Sequence, residues 1–145
     1  MSKVYLLDCT LRDGGYINDW NFGEDTIRGF CQKIAKTGIE ILEVGFIKGD
    51  SYDPDKSVFP DTESFKNVIL PKNPNLKYVG MLDMSAPVPK ERIRPCDGTS
   101  IDGIRVQAHG IAGTPIHDVG SQRAVHLHKQ VLRSSSISLC QGNNR

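Results

Sequence analysis

The segment Asp8-Cys9-Thr10-Leu11-Arg12-Asp13-Gly14-Gly15-Tyr16 gathers two carboxylates, a guanidinium and two adjacent glycines within a few residues. Carboxylate oxygen is a hard donor, so Asp13 could ligate a divalent cation. A fixed guanidinium suits a developing oxyanion, so Arg12 could stabilise one. Gly14 and Gly15 let the backbone pass close to a ligand, which gives them a substrate-binding reading. The same residues could instead form an Arg–Asp pair that only caps a loop. Glu43 is the second feature. It interrupts the apolar run Ile41-Leu42-Glu43-Val44-Gly45-Phe46, where an unpaired carboxylate is costly. Arg12 is the candidate partner from the neighbouring strand end, and an edge position facing solvent is the alternative. Arg105, inside Gly103-Ile104-Arg105-Val106, poses the same question with the opposite sign. It could reach a substrate, or serve a salt bridge with no catalytic role.

These residues need strands to place them. Val4-Tyr5-Leu6-Leu7 is a continuous apolar run of the kind that suits a strand buried on both faces, and Asp8 ends it. Residues 24–36 follow with Ile27, Phe30, Cys31, Ile34 and Ala35 at helical spacing, acids in the first turn, Lys36 in the last and Gly38 beyond. The run at 41–46 is a second strand. Residues 61–70 can form a short helix capped by Asp61 or Thr62, 76–82 a third strand and 103–106 a fourth. Residues 83–100, with Pro87, Pro89 and Pro95, read as loop. Ile41 lies 37 residues after Val4, and Tyr78 lies 37 after Ile41. Strands alternating with helices at this spacing predict βαβ units and a parallel sheet, as a doubly wound sheet or a (β/α)8 barrel. In both, active sites form at the carboxyl ends of the strands, which is where Asp8–Tyr16 falls.

Composition narrows the class. A chain of 145 residues, 38% hydrophobic and 24% charged with a net charge of +1, has globular balance and length enough for a core. The near-zero charge leaves no footprint for nucleic acid or an acidic membrane. No apolar run reaches a membrane span, and the N-terminus is too short in apolar residues for a signal peptide. The four cysteines, Cys9, Cys31, Cys96 and Cys140, form no CxxC pair and read as free thiols in a reducing cytoplasm.

The last third differs. Residues 1–109 hold 16 acids and 14 Lys/Arg, whereas 110–145 hold one acid, Asp118, against four Lys/Arg, with three of the four histidines. Residues 119–132 could make a helix, and no strand signal follows. The stretch 110–145 is therefore either a solvated helix with a tail, or not the natural continuation of the fold, through a frameshift or truncation.

The pattern Asp8-x-Thr10-Leu11-Arg12-Asp13-Gly14 after strand one, with Glu43-Val44-Gly45-Phe46 on strand two, resembles the pyruvate carboxyltransferase-like (HMG-CoA-lyase-like) barrels, or DRE-TIM metallolyases. Asp13-Gly14-Gly15-Tyr16, Asn18 and Trp20 look most like the 4-hydroxy-2-oxovalerate aldolase-type members. The resemblance covers residues 3–109 and favours the (β/α)8 barrel, truncated to about four of eight strands. It implies carbon–carbon lyase, aldolase or Claisen-type acyltransferase chemistry on a 2-oxo acid such as pyruvate, through a metal-stabilised enolate. Arg12 would stabilise the enolate or carbonyl oxygen, Asp13 would ligate Mn²⁺, Mg²⁺ or Zn²⁺, and Glu43 would orient Arg12.

Two departures bear on activity. Tyr16 stands where hydroxy-oxovalerate aldolases of this type carry a catalytic His. A phenol with a pKa near 10 is a poor base at neutral pH, though it could donate a hydrogen bond. The family also completes its metal site with a His-x-His pair on a late strand. His126-Leu127-His128 comes too few strands after Asp13 and lacks the flanking Gly and Asn, so it reads as two solvent-facing histidines. His109, after strand four, reads as a loop-end residue. The expected protein is thus half a barrel with an incomplete metal site and impaired activity. The rival is a non-catalytic module that pairs its open barrel edges with itself or a partner.

Overall fold

A computed structural model describes residues 4–107 and the backbone of 136–139. The fold is α/β. Four strands, β1 (Leu7–Asp8), β2 (Ile41–Ile47), β4 (Lys77–Asp83) and β5 (Gly103–Gln107), lie parallel in the order β1-β2-β4-β5. A two-residue strand β3 (Val58–Phe59) adds to β2. The arrangement is consistent with part of a parallel (β/α) barrel. Among the described residues no helix is long and apolar enough to cross a membrane.

Between β1 and β2 run three helices, α1 (Thr10–Asp13), α2 (Gly15–Asn18) and α3 (Glu24–Ile34). The predicted stripe on α3 is realised. Ile27, Cys31 and Ile34 are buried, and Phe30 and Ala35 pack at the margin of the same core. That core joins α3 to Leu42, Val44 and Ile47 of β2 and to Phe59 and Phe65. The N-terminus of α3 is capped at long range, because the Asp55 carboxylate accepts the Glu24 N–H at 3.1 Å.

Three elements depart from the sequence expectation. The first strand is shorter and later than Val4–Leu7, and Val4, Tyr5 and Leu6 are exposed; among the described residues β1 pairs with β2 alone. The helix expected over 61–70 contracts to α4 (Lys66–Ile69). Ser64 instead closes a turn on Asp61, its N–H on Oδ1 at 2.7 Å and its hydroxyl on the carbonyl at 3.0 Å. A further strand, β6 (Ser136–Leu139), pairs antiparallel with β5, where no strand was expected. Ser-Ile-Ser-Leu does alternate with period two, but over only four residues beside a serine run. The expected helix over 119–132, His109 and the pair His126 and His128 lie outside the described residues.

The thiol expectation also needs correction. Cys9 and Cys31 are free, but Cys96 is disulfide-bonded. Spacing argues against metal pairs and redox CxxC motifs. It says nothing about bridges between distant elements, so the inference to a reducing compartment loses its footing.

Candidate functional site

Asp8 ends β1 and starts the next turn. Its carboxylate accepts the Thr10 N–H at 3.0 Å and the Thr10 hydroxyl at 3.1 Å, a local capping role. The turn delivers α1, whose Leu11 is buried and whose carbonyl accepts the Ser57 hydroxyl at 2.7 Å. With Leu11 anchored, Arg12 is carried inward over the sheet.

Arg12 Nε donates to Glu43 Oε1 at 2.6 Å. Arg105 reaches the same carboxylate from β5, with Nε on Oε2 and Nη2 on Oε1, the latter at 2.7 Å. Glu43 is fully buried and the two guanidiniums nearly so. The sequence pairing of Glu43 with Arg12 is realised, and Arg105 is part of the same network. Arg12 Nη1 also meets Asp13 Oδ1. The two cations and two carboxylates balance. Burial opposes the Arg12 charge, but its hydrogen bond to Glu43 and the charges of Glu43 and Asp13 outweigh that and raise its pKa. Arg12 is a permanent cation whose Nη2 has no partner among the described residues.

A bulge fits this face together. The pairing of β2 with β4 runs Glu43 to Val79, then skips Val44 and resumes Gly45 to Gly80 and Phe46 to Met81. One extra residue restores the alternation that would otherwise send Phe46 away from Glu43. Phe46, Met81 and Arg105 therefore stand side by side in register. Arg105 Nη2 lies 3.4 Å from Met81 Sδ, and the Arg12 guanidinium lies 5.8 Å from the Phe46 ring centroid.

Gly14 and Gly15 owe their lack of side chain to their own neighbours. A Cβ at Gly15 would lie 1.9 Å from Trp20 Cδ1, and one at Gly14 would lie 2.6 Å from the Thr10 carbonyl oxygen. Trp20 is held there firmly. Its indole N–H donates to the Arg12 carbonyl at 2.8 Å, and its own carbonyl accepts the Ser57 N–H at 3.0 Å. Asp19 and Trp20 both have positive φ, 54° and 58°, a costly conformation for an indole-bearing residue that these bonds enforce. Tyr16 completes an aromatic corner. Its ring lies 5.0 Å from Trp20 and 6.3 Å from Phe46, and Trp20 lies 5.4 Å from Phe46, all edge to face. Tyr16 is two-thirds exposed, at the rim.

Asp13 is half exposed. Its Oδ1 faces Arg12 and its Oδ2 accepts the Cys9 thiol at 3.0 Å. Burial, the Asp13 hydrogen bond and the Asp13 charge, in that order, push Cys9 up to about 11. Among the described residues no three of His, Cys, Asp and Glu stand together as a cation site. This donor set, one carboxylate already engaged on both oxygens, does not fit a resident divalent ion by itself.

Sequence reasoning missed Lys48 and Phe46. Lys48 follows the last residue of β2, and its ammonium lies 3.7 Å from the Trp20 ring centroid and 4.7 Å from that of Phe46. The signal was available, since a lysine at the carboxyl end of a buried parallel strand stands at the end of the sheet where ligands bind in such folds.

No family model matches the chain, and no curated protein matches it. One solved structure is similar, the crystal structure of the "N-terminal domain of a putative aldolase" from Bacteroides vulgatus. The two are 26% identical with a TM-score of 0.43, over 61% of this chain and 29% of that one. The chain thus spans less than a third of the length of the protein it resembles.

Proposed function

We infer that this chain carries the carbonyl-binding corner of an aldolase- or lyase-type barrel acting on a 2-oxo acid such as pyruvate. One observation carries the reading. Arg12 is fixed by Glu43 and Asp13 at the carboxyl end of β1, and its Nη2 is left to a ligand. A guanidinium held in place before the reaction stabilises an enolate oxygen without reorganising as charge develops. Glu43 acts on the substrate only through Arg12 and Arg105. Tyr16, at the rim, can donate a hydrogen bond to a bound carbonyl or carboxylate. The motif around Arg12 and Glu43 supports the same reaction class. The divalent cation that the motif resemblance implies would need ligands beyond the described residues, and no step is assigned to it.

The test is binding of oxalate, a mimic of the pyruvate enolate, followed calorimetrically with and without Mn²⁺. The expected result is saturable binding to the chain that Arg12→Met reduces at least tenfold. Binding that survives Arg12→Met unchanged would remove Arg12 from the site and the reading with it.

A second reading rests on the exposed apolar side chains of Val4 and Leu6 beside β1. Sheet edges bearing exposed apolar residues associate. On this reading the chain is a non-catalytic module that pairs this edge with a second copy. A concentration-dependent dimer in size-exclusion chromatography, abolished by Leu6→Lys together with Val4→Lys, would favour it, and a monomer at all concentrations would dismiss it.

A further inference from the structure

Among the described residues, the carboxylates near the aromatic corner are already engaged, and Lys48 is held in no ion pair, although Asp19 and Asp83 act on its charge from a distance. Asp13 meets Arg12, Glu43 holds both arginines, Asp19 pairs with Lys56 at 2.5 Å, and Asp83 accepts the N–H and hydroxyl of Ser85. No carboxylate of the described residues comes within ion-pair distance of the Lys48 ammonium, which rests on the rings of Trp20 and Phe46 instead. A cation seated on aromatic faces keeps part of its electrostatic stabilisation while remaining able to take an anion. The seat itself is built. Trp20 is held with positive φ by three hydrogen bonds, and the β2 bulge brings Phe46 to the Glu43 face.

We propose that Lys48 is a second anion-binding group of this site, and that the ligand is a 2-oxo dicarboxylate whose keto-acid end meets Arg12 and whose far carboxylate meets Lys48. The proposal rests on the reading of Arg12 given above. Arg12 and Lys48 flank one ring, Phe46, at 5.8 and 4.7 Å from its centroid, so the two charges stand at most about 10.5 Å apart. A four- or five-carbon diacid, bent over the Phe46 ring, reaches from one to the other. A monoacid such as pyruvate engages Arg12 alone and leaves Lys48 on its aromatic seat. Partial burial lowers the Lys48 pKa, the cost of a desolvated ammonium that a carboxylate partner would relieve. Lys48 then discriminates by charge, as Arg12 does by geometry.

The experiment is calorimetric titration of the full chain with pyruvate and with 2-oxoglutarate, for the wild type, Lys48→Met, Lys48→Arg and Arg12→Met. The expected result is at least tenfold tighter binding of 2-oxoglutarate than of pyruvate in the wild type. Lys48→Met should erase that preference and leave pyruvate affinity within about twofold, and Lys48→Arg should retain most of it. Trp20, the single tryptophan, gives a second readout. Its emission should change on adding the diacid and not on adding pyruvate, and Lys48→Met should abolish the difference. Equal binding of the two acids by the wild type, or a diacid preference that persists in Lys48→Met, overturns the proposal while Arg12-dependent pyruvate binding keeps the underlying reading. Absence of binding by either acid overturns both. Methionine keeps the apolar stem against the rings, and circular dichroism confirms that each variant is folded.

Discussion

Arg105 forks onto Glu43, with Nε on one carboxylate oxygen and Nη2 on the other, and so ties β5 to the middle of β2 across β4. The same carboxylate holds Arg12. Removing it leaves two guanidiniums in a nearly dry site with only Asp13, on Arg12, to offset them. Deleting one partner of a buried ion pair costs about 3–5 kcal/mol, because the surviving charge has no compensation. Glu43→Ala is therefore expected to lower the unfolding free energy by about that much in urea titrations. Arg105→Met should cost less, since Arg12 still neutralises Glu43. A loss under about 1 kcal/mol for Glu43→Ala would mean the cluster is solvated rather than buried.

Gly15 sits against an indole ring. A methyl group there would overlap Trp20, which is held by two backbone hydrogen bonds and one from its indole and cannot retreat cheaply. Overpacking of this kind typically costs about 1–3 kcal/mol. Gly15→Ala should destabilise the chain by that amount and shift the Trp20 emission toward that of a solvated indole. Trp20→Ala should remove most of the penalty when combined with it. An additive double variant would show that the two residues do not touch.

The parallel sheet, the α3 stripe and the pairing of Glu43 with Arg12 were legible because each follows from periodicity or from the cost of burying a lone charge. Ile27, Cys31 and Ile34 declare a helix face by spacing alone. The β2 bulge was not legible, since nothing in Glu43-Val44-Gly45 fixes where a strand takes an extra residue, and without it Phe46 is assigned to the wrong face. Gly15 meets a similar limit. A glycine in a strand-end loop suits a close ligand or a close side chain equally, and the close side chain, Trp20 folding back with positive φ, shows only in the structure. Asp8, one of the two carboxylates of the first segment, is taken up by Thr10, a competition between backbone capping and chemistry that composition does not resolve.

Cys9 reports on Asp13. Burial is the largest cause of its raised pKa, and the Asp13 hydrogen bond and charge come next, so the thiol is almost wholly protonated near neutrality. Alkylation of Cys9 by iodoacetamide at about pH 8 should be much slower than that of a free thiol. Asp13→Asn removes the negative charge and leaves Arg12 beside the sulfur, so the pKa falls and alkylation accelerates, by about tenfold or more. Mass spectrometry of the Cys9 peptide measures both rates. A rate unchanged by Asp13→Asn would assign the protection to burial alone.

Cys31 predicts how stability responds to alkali. It lies on the inner face of α3 with almost no exposed surface, and burial pushes its thiol up to about 12 from an ordinary value of 9.0. Below about pH 9 both the folded and the unfolded chain hold the proton, and the group is neutral to the balance. As pH rises from about 9 toward 12 the unfolded chain releases the proton while the folded chain keeps it. The unfolded state is then favoured, by at most about 1.4 kcal/mol for each pH unit. Cys9 acts in the same direction over a narrower window. Cys31→Ala has no thiol to ionise. It starts less stable than the wild type because it vacates part of the core. The gap between the two should therefore be widest near pH 8 and shrink by about 1–2 kcal/mol by about pH 10.5, measured by urea unfolding at each pH. The remaining lysines and tyrosines are common to both chains and cancel in the difference. A gap that stays constant across that range would mean that water reaches Cys31 and that the α3 face opens before the chain unfolds.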